Sequence, residues 1–384
     1  MRGIALAVAL ALLAACSSPS KMNPVNWFSP PPSGPKPAAL PALTNPQGVR
    51  VLWSASVGAA DGFVFSPALA AGSVYAAARD GTVARLDAAS GLARWRVSVG
   101  ARLSGGVGTD GRHVAVASDE GLVFVLDADK GTLRWRARVS SEVLAAPAVG
   151  EGLVLARSAD SRVFAFSAWD GKRRWVYQRS PTSLLVRTPA GIVLHGGSAY
   201  AGFAGGKLVA LALSNGGVRW EATVALPRGA NELERVTDIV GDPAVEANEV
   251  CAAAYQGRVA CYDTRNGHQR WAREMSTLTG VSFDERHAYV SDTRGAVHAL
   301  ERATGRSLWR QERLAHRQLS LPLPLGAEVA VGDLEGYVHF VARESGAFVA
   351  RIATDGTAIR AAPLALPAGF VVQTGRGGLY ALRL

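Results

Sequence analysis

From Val51 onward the chain alternates short apolar runs with turn-forming residues. Val74-Tyr75-Ala76, Val123-Phe124-Val125-Leu126 and Val297-His298-Ala299-Leu300 are alternating or β-branched, and Gly, Asp and Asn stand between such runs. Runs this short, bounded this way, predict β-strands joined by tight turns.

The runs recur in a fixed frame. Gly81-Thr82-Val83-Ala84-Arg85-Leu86-Asp87 leads to Gly91 and Trp95, residues 121–127 lead to Gly131 and Trp135, and residues 257–263 lead to Gly267 and Trp271. Weaker copies begin at Ser161, Gly206, Gly295, Gly336 and Gly377. Fourteen residues after the first position stand Trp95, Trp135, Trp175, Trp220, Trp271, Trp309 and Ala350, so six of seven places hold Trp in a chain with nine. Fourteen residues before it stand Pro67, Val107, Pro147, Ile192, Pro243, Val281, Pro322 and Pro363. The Asp suits a turn whose backbone N–H groups need an acceptor, and the Gly takes a positive φ at little cost. The Trp is large enough to fill a wedge between neighbouring sheets. Four short strands per ~40 residues, repeated, is the pattern of a β-propeller.

Eight units predict an all-β, eight-bladed propeller with four antiparallel strands per blade. The last unit would need its Trp fourteen residues past Gly377, at 391, but the chain ends at Leu384. Val51-Leu52-Trp53 is the available outer strand, and its pairing with the C-terminal blade leaves no open sheet edge. The expected organisation is a signal peptide over 1–15, a Pro-rich tether over 16–50 and the propeller over 51–384.

The N-terminal expectation rests on Arg2 followed by a twelve-residue apolar run at 4–15. A spanning helix needs ~20 apolar residues, so this run fits a cleaved secretory signal instead. Leu13-Ala14-Ala15-Cys16 resembles the lipobox of bacterial lipoproteins, which implies acylation of Cys16 after cleavage. Ser17 follows where an Asp would favour inner-membrane retention, so the resemblance implies an outer-membrane anchor facing the periplasm. Nine of the nineteen prolines lie between Cys16 and Val49. Such a stretch forms neither ladder nor helix, and at ~3.1 Å per residue it reaches on the order of 100 Å.

The net charge of +10 comes largely from arginine, since the chain has five lysines. No block of five or six like charges occurs, so nucleic acid is not an expected partner.

The A/L-D-x-x-x-G-x-x-x-W repeat resembles that of the pyrroloquinoline-quinone (PQQ) enzyme-type propellers. With a lipobox, a Pro-rich tether and no further domain, the chain is similar to the propeller lipoproteins of the β-barrel assembly machinery. Three segments sharpen that likeness: Asn231-Glu232-Leu233-Glu234-Arg235-Val236-Thr237-Asp238, Leu314-Ala315-His316-Arg317, and the hairpin from Gly332-Asp333 to Val338-His339. The resemblance implies a non-catalytic scaffold docked on the periplasmic POTRA domains of a BamA-like barrel-insertion protein, assisting unfolded outer-membrane proteins. The rival readings are a propeller lipoprotein of another envelope complex, a polysaccharide-binding module and, more remotely, a quinone-dependent dehydrogenase. A central channel lined with aromatics and carboxylates would favour a small ligand.

Residues for chemistry are sparse. Quinone enzymes of this class carry adjacent cysteines and clustered Ca²⁺ ligands, whereas none of Cys16, Cys251 and Cys261 is adjacent to another and no carboxylate cluster has Ca²⁺-loop spacing. The seven histidines lack metal spacing. Gly106-Val107-Gly108-Thr109-Asp110-Gly111 matches a dinucleotide fingerprint literally but precedes a strand, so it reads as a turn. No catalytic residue, metal ligand or cofactor is expected. Cys251 and Cys261 flank the hairpin tip Gln256-Gly257; a three-residue tip makes them face each other as a possible disulfide, while a two-residue tip pairs Cys251 with Tyr262.

Loop length points to a binding face. Six of the eight connections from a Trp-type position to the next Pro-type position span 10 to 14 residues, against 17 from Trp175 to Ile192 and 23 from Trp220 to Pro243. Insertions in repeats mark the binding face, and these two are neighbours on it. The first holds Leu184, Leu185, Val186 and Arg187; the second holds Glu232, Glu234, Arg235 and Asp238. Aliphatic anchors rimmed by charge suit a protein partner. The family resemblance implies contact through Leu184, Val186, Arg187 and Asp238, although Val240 stands where the family pattern has a second acid.

Overall fold

The computed structural model describes residues 35–44, 46–180 and 184–384. Thirty-two strands run through them, in eight four-stranded antiparallel sheets, and no helix occurs among the described residues. The first blade pairs Ala68–Ala70, Ser73–Ala77, Thr82–Asp87 and Ala93–Ser98 in chain order. Six more follow the same order over residues 103–138, 148–178, 192–223, 239–274, 282–311 and 323–353. The eighth holds Leu364–Leu366, Gly369–Gln373 and Gly378–Arg383, and takes Arg50–Ser56 as its outer strand. That strand pairs antiparallel from Arg50 opposite Arg383 to Ser56 opposite Gly378, which closes the ring. The fingerprint-like glycines differ slightly from expectation: Gly106 and Gly108 lie inside the strand Leu103–Thr109, and the turn begins at Asp110.

The framed tryptophans join each blade to the next. Trp135 donates its indole N–H to the Ala168 carbonyl of the next blade at 2.8 Å, and its ring lies against Gly171. A Cβ on Gly171 would stand 2.7 Å from that ring, and φ there is +70°, so the place admits glycine alone. The same donation runs from Trp53 to Ala88, Trp95 to Ala128, Trp175 to Leu213, Trp220 to Thr264, Trp271 to Arg302 and Trp309 to Arg343. Thus the Trp of one unit docks on the Gly of the following unit, and Trp53 docks the eighth blade on Gly91 of the first.

Ala350 breaks this series for a topological reason. A Trp there would need the turn between the third and fourth strands of the eighth blade. That turn does not exist, because the third strand ends at Arg383 and the fourth comes from the N-terminal side. Ala350 is instead buried at the seam with Ile359, Phe370 and Leu382, and Val49 packs against the same cluster.

The segment before the closing strand is also laid on this seam. The Ala38 N–H donates to Ala315 O at 2.9 Å, and Gln47 N–H to Val349 O at 3.1 Å. Arg317 and Arg351 donate to the carbonyls of Ala38 and Pro41 at 2.8 and 3.1 Å. The end of the expected tether is therefore a strap on the seventh blade. Its prolines lack donors, but its carbonyls accept from arginines.

Arg317 is 2% exposed and serves three segments at once. Besides Ala38, its Nε donates to Asp333 at 2.7 Å and its guanidinium pairs with Glu335. Asp333 also binds His339 Nε2 at 2.8 Å, and both of those groups are fully buried. Burial pushes the His339 pKa down, against the nearby Asp333 carboxylate that raises it.

In the fifth blade Cys251 stands opposite Cys261, the three-residue-tip register, and a disulfide joins them with a Cα separation of 4.0 Å. A protein lacking Cys16 is expected to release no thiol when denatured without reductant and two after reduction. Titration with a thiol reagent checks this.

Candidate partner-binding surface

Strands alternate in direction within a blade, so every connection from an outer strand to the next inner strand opens on one face of the ring. The inner ends of the blades enclose a funnel of about 400 Å³ on that face, lined among others by Val64, Ala145, Pro189, Asp242, Leu319 and Arg360. None of the described residues that line it is aromatic. Asp242 is open to the funnel yet surrounded by protein, and that enclosure raises its carboxyl pKa.

The connection that ends the third blade passes from outer surface to funnel. Leu184 and Leu185 are 40% and 41% exposed, Val186 is half-buried, and Arg187 with Thr188 and Pro189 reaches the funnel lining. Arg187 is exposed but held: its guanidinium pairs with Glu142, on the connection that ends the second blade. That carboxylate holds the arginine pKa above its usual value.

The second connection behaves differently from expectation. Glu234 and Arg235 are exposed, but each is engaged in folding its own loop. The Glu234 carboxylate accepts from Ala230 N–H at 2.7 Å and from Asn231 Nδ2 at 2.9 Å, and Arg235 Nε donates to Gly229 O at 3.0 Å. Asp238 is buried at 5% exposure. Its Oδ2 accepts from Val186 N–H at 2.6 Å and its Oδ1 from Gly205 N–H at 3.3 Å. Burial raises its pKa against those two donors and the charge of Arg157. The structure therefore brings Asp238 to residues 184–187, and places its carboxylate beneath that loop.

Two exposed leucines belong to the same surface and are absent from the sequence-based set. Leu226 is 59% exposed and Leu233 is 72% exposed, both on the longer connection. The signal for Leu233 was its position as the one apolar residue between Glu232 and Glu234. Asp242 was also missed; it follows the buried Val240 by two residues and receives Gly191 N–H at 2.9 Å.

Groups suited to chemistry are engaged elsewhere. His113, His287, His298 and His339 each face an aspartate, at Asp110, Asp284, Asp292 and Asp333. Among the described residues one group of three close metal-ligand types occurs, Glu249 with Cys251 and Cys261, and its sulfurs are bonded to each other. Cys16 lies outside the described residues.

Fold and loops together define an eight-bladed propeller of the PQQ-enzyme repeat class with an enlarged loop pair on one face. The family model described as "Outer membrane protein assembly factor BamB" matches residues 79–311. The protein of that name from Bordetella pertussis is 42% identical, over 91% of this chain and 90% of its own length. The crystal structure of BamB from Moraxella catarrhalis superimposes with a TM-score of 0.80 at 26% identity, covering 88% of this chain and all of that one. The quinohemoprotein alcohol dehydrogenase of Comamonas testosteroni shares the fold alone, with a TM-score of 0.67 at 14% identity over 87% of this chain and 76% of its own. The chain belongs to the BamB family.

Proposed function

We propose that this protein is a non-catalytic scaffold of outer-membrane protein assembly, anchored in the outer membrane through acylated Cys16. It docks on the POTRA domains of the barrel-insertion protein through the two enlarged connections. The observation that carries the reading is the exposure of Leu184, Leu185, Leu226 and Leu233, together with Arg187, on two successive connections that open on one face. Leucines and an arginine on a built loop suit a protein hot spot, where a few side chains supply most of the affinity. Membership of a family named for outer membrane protein assembly supports the same partner class.

The Leu184→Ala/Arg187→Ala double variant tests the site. Loss of hot-spot contacts of ~2 kcal/mol or more lowers affinity by at least about thirtyfold. The variant is expected to fail to co-purify with the barrel-insertion protein while its thermal melt stays near the parent's. Undiminished co-purification would refute the site.

A further inference from the structure

The closing strand and the strap before it run to opposite faces of the ring. Ser56 pairs with Gly378 and leads into the connection to the first blade, so that end lies on the face of the enlarged connections. Arg50, opposite Arg383, lies at the other face. A tether that began at Arg50 would hang from there. The strap turns the chain back. Gln47 N–H donates to Val349 O, near the start of the seventh blade's outer strand Phe348–Ala353, and Arg351 donates to Pro41 O further along it. Ala38 N–H then donates to Ala315 O, on the connection from the sixth blade to the seventh, and Arg317 donates to Ala38 O. The chain has by then crossed the outer edge of the seventh blade, and Ala38 stands on the face that carries residues 184–187.

We propose that the strap routes the lipid anchor to the docking face, so that this face and not its opposite is turned toward the outer-membrane surface. The inference rests on the reading of Cys16 as the acylated anchor. Pro37, Pro41 and Pro46 have φ already fixed, so laying the strap down costs less backbone entropy than for an ordinary loop. Leu40 and Leu43 are half-buried, and Val49 packs into the cluster of the seventh and eighth blades. From Cys16 to Ala38 the free chain reaches roughly 70 Å, against roughly 105 Å from Cys16 to Arg50 without the strap. Local concentration at the membrane falls as about the −3/2 power of tether length, so the shortening alone raises it about twofold. The change of exit face decides which side of the ring gains.

Energy transfer tests this with the full lipidated protein in phosphatidylethanolamine and phosphatidylglycerol vesicles that carry an acceptor dye on the headgroups. The donor dye is attached at Leu226→Cys, on the face of the enlarged connections, or at Lys172→Cys, in a turn between third and fourth strands on the opposite face; both residues are exposed. Transfer is expected to be about twofold or more stronger from position 226. The Ala38→Pro/Gln47→Pro/Arg351→Ala variant removes two backbone donors and one guanidinium that hold the strap, at positions none of which is buried. It is expected to keep the parental melt, to be cut rapidly by proteinase K before Val49, and to lose or invert the difference between the two positions. Equal transfer from both positions in the parent would overturn the inference. So would a parental difference in a variant whose strap has opened to protease, or parental resistance to protease in that variant. Failure of the parent to float with the vesicles would refute the anchor at Cys16 and the routing with it.

Discussion

Replacing Trp135 with alanine is expected to destabilise the propeller by about 3–5 kcal/mol, the range for truncating a buried aromatic. Its ring fills the wedge against Gly171 of the next blade, and its indole N–H is bound to Ala168 O. Alanine removes both, and leaves a cavity whose walls are two separate sheets. Trp169 is the internal control, because it lies outside the frame and is 57% exposed. Trp169→Ala is expected to cost less than about 1 kcal/mol. Urea unfolding followed by far-ultraviolet circular dichroism measures both. Equal effects would show that the framed tryptophans do not join the blades.

Removing the guanidinium at Arg317 is expected to cost about 3–5 kcal/mol, because it leaves a buried charged partner uncompensated. Arg317→Leu keeps most of the volume but strands Asp333 between His339 and an apolar side chain. It also frees the Ala38 carbonyl, so the strap loses a hold 279 residues away in sequence. Two signals should therefore appear together: a lower melting temperature and rapid proteolysis on the N-terminal side of Val49. A destabilised ring with an intact strap would mean that Arg317 serves the seventh blade alone.

The Trp frame was legible because blade packing demands large and small residues at fixed separations, and few other residues meet those demands. The partnership itself was not legible. Trp135 and Gly131 sit in one motif, yet Trp135 docks on Gly171, and only closure of the ring makes that visible. Ala350, the one framed place without Trp, marks the chain's seam, where the docking turn is absent. The strap escaped notice because prolines advertise missing donors, while its anchors are carbonyls that meet Arg317 and Arg351. Loop length located the enlarged face. The role of Asp238 needed burial and register, since an exposed contact and a buried clamp share one letter in the sequence.

On the proposed reading, the partner meets the face bearing residues 184–187. A photo-crosslinking side chain placed at Leu185 in the lipidated protein tests it in intact envelope, with Asn248 as the comparison site. Asn248 lies in the turn between the first and second strands of the fifth blade, on the opposite face. An adduct with the barrel-insertion protein is expected from position 185 and none from position 248. An adduct from 248 with none from 185 would contradict it.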